Sequence, residues 1–221
     1  MDKEDAVSSG VIDERGSGAD GFVWTKCWLP LTGLDYLDPK TPTAIKVLGY
    51  DLVIWQDAGK VWRCFRDLCP HRAAPLSEGA INPATGDLRC AYHGWEFSGS
   101  GSPTSIPQSP GGKSFETATA SPRACAQSFP TAVAHGLLWV WLESGDSGLE
   151  ASTSSPLPSI PSTDDKGREW FAVSPWYVRD MRVDYVALME NSADPAHVHF
   201  THAGKYSPSS AIDVLSSKLK L

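Results

Sequence analysis

Short apolar runs alternate with turn-forming residues through most of the chain. Residues 22–30, with Trp24 and Trp28, predict a first strand. Residues 43–49 and 51–56 are apolar and rich in β-branched side chains, and Asp57-Ala-Gly59 predicts a turn into a returning strand over 61–65. Residues 88–90 predict another short strand, Ser98-Gly-Ser-Gly-Ser102 a turn, and 124–129 and 136–142 the closing strands. Strands of this length, punctuated by Gly and Pro, predict a small antiparallel β sandwich or barrel over residues 21–142. Residues 143–166 are dominated by Ser, Pro, Gly and Asp and read as a linker, extended in part by Pro156, Pro158 and Pro161. A second ordered region, 167–221, follows. Residues 171–181 read as strand-like with a proline break, and 184–189 open a helix that runs toward His202. Residues 1–20 are polar and read as a disordered leader, neither signal peptide nor Arg-rich transit peptide.

Composition narrows the class. The 221 residues carry a formal charge of −7 with no basic run, which argues against nucleic acid as a partner. No window of eighteen apolar residues predicts a membrane span. Of the five cysteines, Cys27, Cys64 and Cys125 have no regular spacing and read as small buried hydrophobes rather than a disulfide framework.

The remaining two cysteines carry the chemistry. Cys69-Pro-His71 and Cys90-Ala-Tyr-His93-Gly-Trp95 each offer one thiol and one imidazole on a short loop. A [2Fe–2S] centre of the Rieske type needs that set, with two thiolates on one iron and two histidines on the other. The alternative is a structural Cys₂His₂ zinc site. Zinc fingers place a cysteine pair first and a histidine pair later, whereas here Cys and His alternate.

The run from Cys69 to Gly79, with Tyr92-His-Gly-Trp-Glu-Phe97 and Ile106-Pro-Gln108, resembles the Rieske non-haem iron oxygenases. Within them it is most similar to the chloroplast branch of pheophorbide a oxygenase-like, Tic55-like and chlorophyllide a oxygenase-like proteins. Cytochrome bc-type Rieske proteins carry a disulfide between the cluster loops and a hydroxyl residue after the second His-Gly. Ala74, Tyr92 and Trp95 stand at those positions here. Fewer hydrogen bonds to the cluster sulfurs then imply a lower potential, suited to oxygen chemistry rather than quinol oxidation.

A second constellation lies in Glu190-Asn191-Ser-Ala-Asp194-Pro-Ala-His197-Val-His199-Phe-Thr-His202. Two histidines and a carboxylate on one face make a mononuclear non-haem iron site, and a solvated helix with incidental histidines is the plain alternative. The resemblance selects Asn191, Asp194, His197 and His202, which match the family pattern Asn-x-x-Asp-x-x-His-x₄-His. Regular helix geometry points His197 and His202 about 140° apart and makes His199 the neighbour of His202. The matching pair therefore requires the helix to end or distort, and His199 stays as the geometric rival. The family's third ligand, a carboxylate, lies far downstream in a helix-grip catalytic domain, and Asp213 does not match it. His135, at a strand edge, carries no assigned role.

The resemblance implies an α+β helix-grip catalytic domain after the β domain, a [2Fe–2S] cluster held by Cys69, His71, Cys90 and His93, and mononuclear Fe(II) on His197 and His202. It implies reduced ferredoxin as donor, O2 and a chlorophyll-derived tetrapyrrole as substrates, Asp194 as a bridge between metal sites, a homotrimer and a chloroplast location. Membrane association is expected only through segments outside this chain. A chain ending at Leu221 lacks the third ligand and is expected to be inactive alone. The rival reading is a Rieske ferredoxin-like carrier or a Tic55-like redox component of plastid protein import; the Asn191 to His202 stretch favours the enzyme.

Overall fold

A computed structural model describes residues 23–163, 166–169, 174–179 and 181–201. It divides into two units, residues 1–178 and 179–221, treated separately below. The stretch read as a leader lies outside the described residues.

Among the described residues, the first unit holds eleven strands in three antiparallel sheets. β1 (Trp28–Gly33), β11 (Leu137–Trp141) and β10 (Thr131–Ala134) form one sheet. β2 (Thr43–Val47), β3 (Tyr50–Gln56), β4 (Trp62–Arg66) and β9 (Ser128–Phe129) form the second. β5 (Ala80–Ile81), β6 (Leu88–Arg89), β7 (Glu96–Phe97) and β8 (Pro103–Ser105) form the third. Tight hairpins set the register. Leu48-Gly49 and His135-Gly136 are two-residue turns with positive φ at both positions, which matches the right-handed twist of the strands they join.

The second sheet lies in the middle, and β3 shows why. Leu52, Val53, Ile54 and Trp55 are all fully buried. Side chains alternate along a strand, so a continuous apolar run signals cover on both faces. Leu52 and Ile54 join a core with Trp62, Cys64, Phe129, Leu138, Val140 and Leu142. Val53 and Trp55 face the other way, into a core with Phe65, Leu76, Leu88 and Phe97 that also contains Cys69 and Cys90. Trp55 satisfies its indole on the Gly86 carbonyl at 3.2 Å, tying the central sheet to the sheet of the metal loops. Trp55→Ala is expected to cost about 3–5 kcal/mol through the cavity it leaves.

Several elements differ from the sequence expectation. The first strand begins later, because Trp24–Lys26 forms a 3-10 turn. The predicted strand at 124–129 shrinks to Ser128–Phe129, since Pro122–Ala124 turns as 3-10 helix. Helix α1 (Gly112–Thr119) has no counterpart in the sequence reading. The segment read as a linker opens with a second helix, α2 (Gly145–Ser154). Residues 174–179 contain no strand. Trp176 there donates its indole to the His135 carbonyl at 2.6 Å, and its own carbonyl accepts the Tyr36 hydroxyl at 2.8 Å. Cys64 is buried, as expected, and burial pushes its thiol far up; Cys27 and Cys125 are only half-buried.

The described residues of the second unit contain two helices. α3 (Tyr185–Ala193) is capped by Asp184, whose carboxylate accepts the Val186 and Ala187 N–H groups. α4 (Val198–Thr201) follows after a break at residues 194–197.

Candidate metal centres

The two cysteine loops share one backbone design. In the first, the Cys69 N–H donates to the Ala74 carbonyl and the Ala73 N–H donates back to the Cys69 carbonyl, both at 2.8 Å. In the second, the Cys90 N–H donates to the Trp95 carbonyl at 2.8 Å and the Gly94 N–H to the Cys90 carbonyl at 3.0 Å. Each bond links equivalent positions, so each loop is closed by the same pair of bonds. A third segment clamps the second loop: the Gln108 side-chain amide donates to the His93 carbonyl at 2.7 Å. The base of the first loop is tied by Asp67, whose carboxylate accepts both the N–H and the hydroxyl of Ser77. Arg89 and Glu96, flanking the second loop, pair at 2.6 Å, and Asn82 also donates to Glu96.

The loops sort the four ligand candidates by type. Cys69 and Cys90 are buried at 3% and 2% exposure and sit in one core. His71 and His93 are half-buried, with ring centroids 4.5 Å apart. Burial and the adjacent Cys90 thiol push the Cys69 thiol up to about 11, against the lowering effect of the His71 and Arg72 N–H groups. Metal-free Cys69 therefore holds its proton, and metal binding must displace it. Burial, with the neighbouring His93 and Arg72, lowers the His71 pKa and favours the neutral imidazole that a metal requires. The Nδ1 of His71 is buried and has no hydrogen-bond partner. No three His, Cys, Asp or Glu side chains among the described residues converge on one metal ion. A single tetrahedral zinc needs all four around one point. A dinuclear cluster needs what is seen, two thiols together and two imidazoles together.

In the second constellation, Asp194 ends α3 and its Oδ1 accepts the Ala196 N–H at 2.8 Å across Pro195. Its Oδ2 lies 3.6 Å from the Nδ1 of His197. The helix thus breaks at Asp194-Pro195, before His197. His202 and Asp213 lie outside the described residues, as does the side chain of His199, so the choice between His197 and His199 stands as the sequence left it.

Residues 27–121 match the Rieske [2Fe-2S] domain family. The chain is 44% identical over 191 residues to the chloroplastic pheophorbide a oxygenase of Arabidopsis thaliana, covering 86% of this chain and 34% of that protein. Among solved structures, NdmB of Pseudomonas putida CBB5 aligns with a TM-score of 0.64 at 26% identity, over 83% of this chain and 52% of its own. Dicamba monooxygenase with non-heme iron and dicamba aligns with a TM-score of 0.50 at 28% identity, over 62% of this chain and 38% of its own. This chain carries a domain of the Rieske [2Fe-2S] family. With that domain the chain takes a [2Fe–2S] cluster as cofactor. It spans about a third of the length of the curated relatives it matches.

The residues fit the Rieske cluster. The buried, unpartnered His71 Nδ1 is a nitrogen in need of a metal, and the paired cysteines supply soft donors away from water. Cys69 and Cys90 would hold one iron, and His71 and His93 the other. Sequence reasoning missed the supporting groups. In the sequence, Gln108 stands only within a motif, and Trp95 only within a motif and in place of a hydroxyl. The Trp95 ring stacks on His71 at 4.8 Å and 8°. Asp67 gave no signal, because its partner Ser77 is ten residues away and joined to it only by the fold.

Proposed function

We propose that this chain is the electron-delivering N-terminal part of a chloroplast Rieske oxygenase that acts on a chlorophyll-derived tetrapyrrole, in the manner of pheophorbide a oxygenase. Residues 21–142 are then the cluster domain, and 167–221 open a helix-grip catalytic domain in which His197 and His202 bind Fe(II). The substrate class rests on the 44% identity to a pheophorbide a oxygenase. The observation that carries the redox reading is the division of four candidate ligands into a buried thiol pair and a half-buried imidazole pair.

When bound, the cluster supplies single electrons, taken from reduced ferredoxin. The chain's own residues give that transfer a direction. The cysteines anchor the inner end in an apolar core, where water is excluded. His71 and His93 are half-buried, more exposed than the cysteines, and would hold the cluster's other iron where electrons could pass through imidazole. Tyr92, 63% exposed, lies against His93 at a 4.0 Å centroid distance and marks the contact surface. Gln108 fixes the backbone of His93 from behind. Asp194 divides its carboxylate between the turn that starts α4 and the His197 imidazole. One oxygen fixes the carboxylate, and the other can orient a ligand histidine. In a homotrimer, the family arrangement would set Tyr92 and His93 of one subunit against Asp194 of the next.

The test is single turnover with a chain extended through the catalytic domain. Reduced by ferredoxin and mixed with O2 and pheophorbide a, it should reoxidise its cluster and yield an oxygenated pigment. Reoxidation with the pigment unchanged would instead favour the carrier reading.

A further inference from the structure

Among the described residues, five tryptophan indoles donate to a protein oxygen. Trp28 donates to the Ser155 carbonyl, Trp55 to Gly86, Trp139 to Ala134, Trp141 to the Glu143 carboxylate and Trp176 to His135. Trp95 breaks the pattern. Its Nε1 is buried and has no partner in the protein. Leaving a buried N–H unpaired costs about 1–3 kcal/mol, and native folds rarely leave such a group without an acceptor. The ring position narrows what the acceptor can be. Trp95 stacks on His71, nearly parallel, and packs against the core that contains Cys69 and Cys90. Its neighbour His71 shows the same signature, a buried nitrogen without a partner. Two orphaned nitrogens on stacked rings thus lie against the core that holds the two buried thiols.

We infer that the Trp95 indole N–H is a hydrogen-bond donor to a sulfur of the iron–sulfur group, a thiolate or a bridging sulfide. The inference rests on the cluster assignment above. Trp95 thereby replaces, by another route, part of the hydroxyl donation that its position lacks. A donor to sulfur stabilises the more negative, reduced cluster and raises its potential. Trp95 is a positioning and tuning residue. It touches no substrate, and its stack also shields one face of His71 from water.

Trp95→Phe keeps an aromatic ring over His71 and deletes only the donor. The variant should retain the iron and sulfide content of the wild type while its reduction equilibrium shifts at least tenfold toward the oxidised form. For one electron that is about 59 mV downward. An iron-loaded variant whose equilibrium moves by less than twofold overturns the inference. A second measurement holds if the variant does not load. Wild-type protein made with tryptophan carrying 15N at the indole nitrogen alone is reduced and studied by pulsed EPR. A hyperfine coupling to that nitrogen, with an exchangeable proton, is expected. A normal Rieske spectrum without that coupling overturns this inference alone, and a wild-type protein with no iron–sulfur spectrum overturns the cluster assignment with it.

Discussion

Ala73 and Gly94 hold the same left-handed turn in the two metal loops, one with a methyl group and one without. Their φ angles are 55° and 74°, and each N–H donates to the carbonyl of the cysteine four residues earlier. A Cβ costs about 1 kcal/mol in this region. Ala73→Gly should therefore leave the cluster intact and raise unfolding stability, or leave it level. Gly94→Ala should lower stability by about 1 kcal/mol or more, because the new Cβ would also lie 3.2 Å from the Pro107 ring. Denaturant unfolding of both variants checks the contrast. Equal effects would show that the loops are not equivalent.

Gln108 anchors the second loop by one hydrogen bond to the His93 carbonyl. Such a bond contributes about 1 kcal/mol. Gln108→Ala should bind the same iron but release it several-fold faster to a chelator. Release at the wild-type rate would assign the clamp to Pro107 alone.

Acid stability should depend on Asp57. Burial raises this carboxyl, but the Val61 N–H, the Arg63 guanidinium and the Gly59 backbone outweigh it and hold it below its ordinary value of 3.8. The bond from Arg63 Nε is 2.7 Å, and together these contacts close the turn between β3 and β4. A carboxyl depressed in the folded state contributes stability above its unfolded pKa and loses it as pH falls through the folded value. Asp57→Asn should cost about 1–2 kcal/mol at pH 7, and its deficit should shrink below about pH 4. A deficit independent of pH would assign the effect to packing.

Much of this was legible in the chain, and the parts that were not share a cause. The metal loops show in sequence because a thiol and an imidazole two or three residues apart are a local signal. β3 shows because its apolar run is continuous. Helix α2 does not, because small residues make its buried contacts. A Cβ at Gly148 would lie 2.2 Å from the Glu143 carbonyl, and Ser152, one turn later, is 3% exposed. A face of glycine and serine has no apolar periodicity to read, so Gly-Asp-Ser-Gly resembled a linker. The break before His197 was half legible. Asp194-Pro195 is a turn signal, yet helix periodicity alone carried the reading through it.

Asp194 joins that break to His197, a proposed iron ligand. In a chain extended through the catalytic domain, Asp194→Asn should keep the cluster spectrum and the mononuclear iron. It should slow substrate-dependent reoxidation of the cluster at least tenfold in single turnover. An unchanged rate would reject the bridging role, and loss of iron would make Asp194 a ligand.

The central claim is the sorting of ligands, with Cys69 and Cys90 on one iron and His71 and His93 on the other. The most direct measurement is the Mössbauer spectrum of the 57Fe-enriched protein, oxidised and then reduced by one electron. The account predicts two unequal iron sites in equal amount, with the added electron localised on the site that lacks thiolate. Two equivalent all-thiolate sites, or a single zinc with no iron–sulfur signal after anaerobic purification, would contradict it.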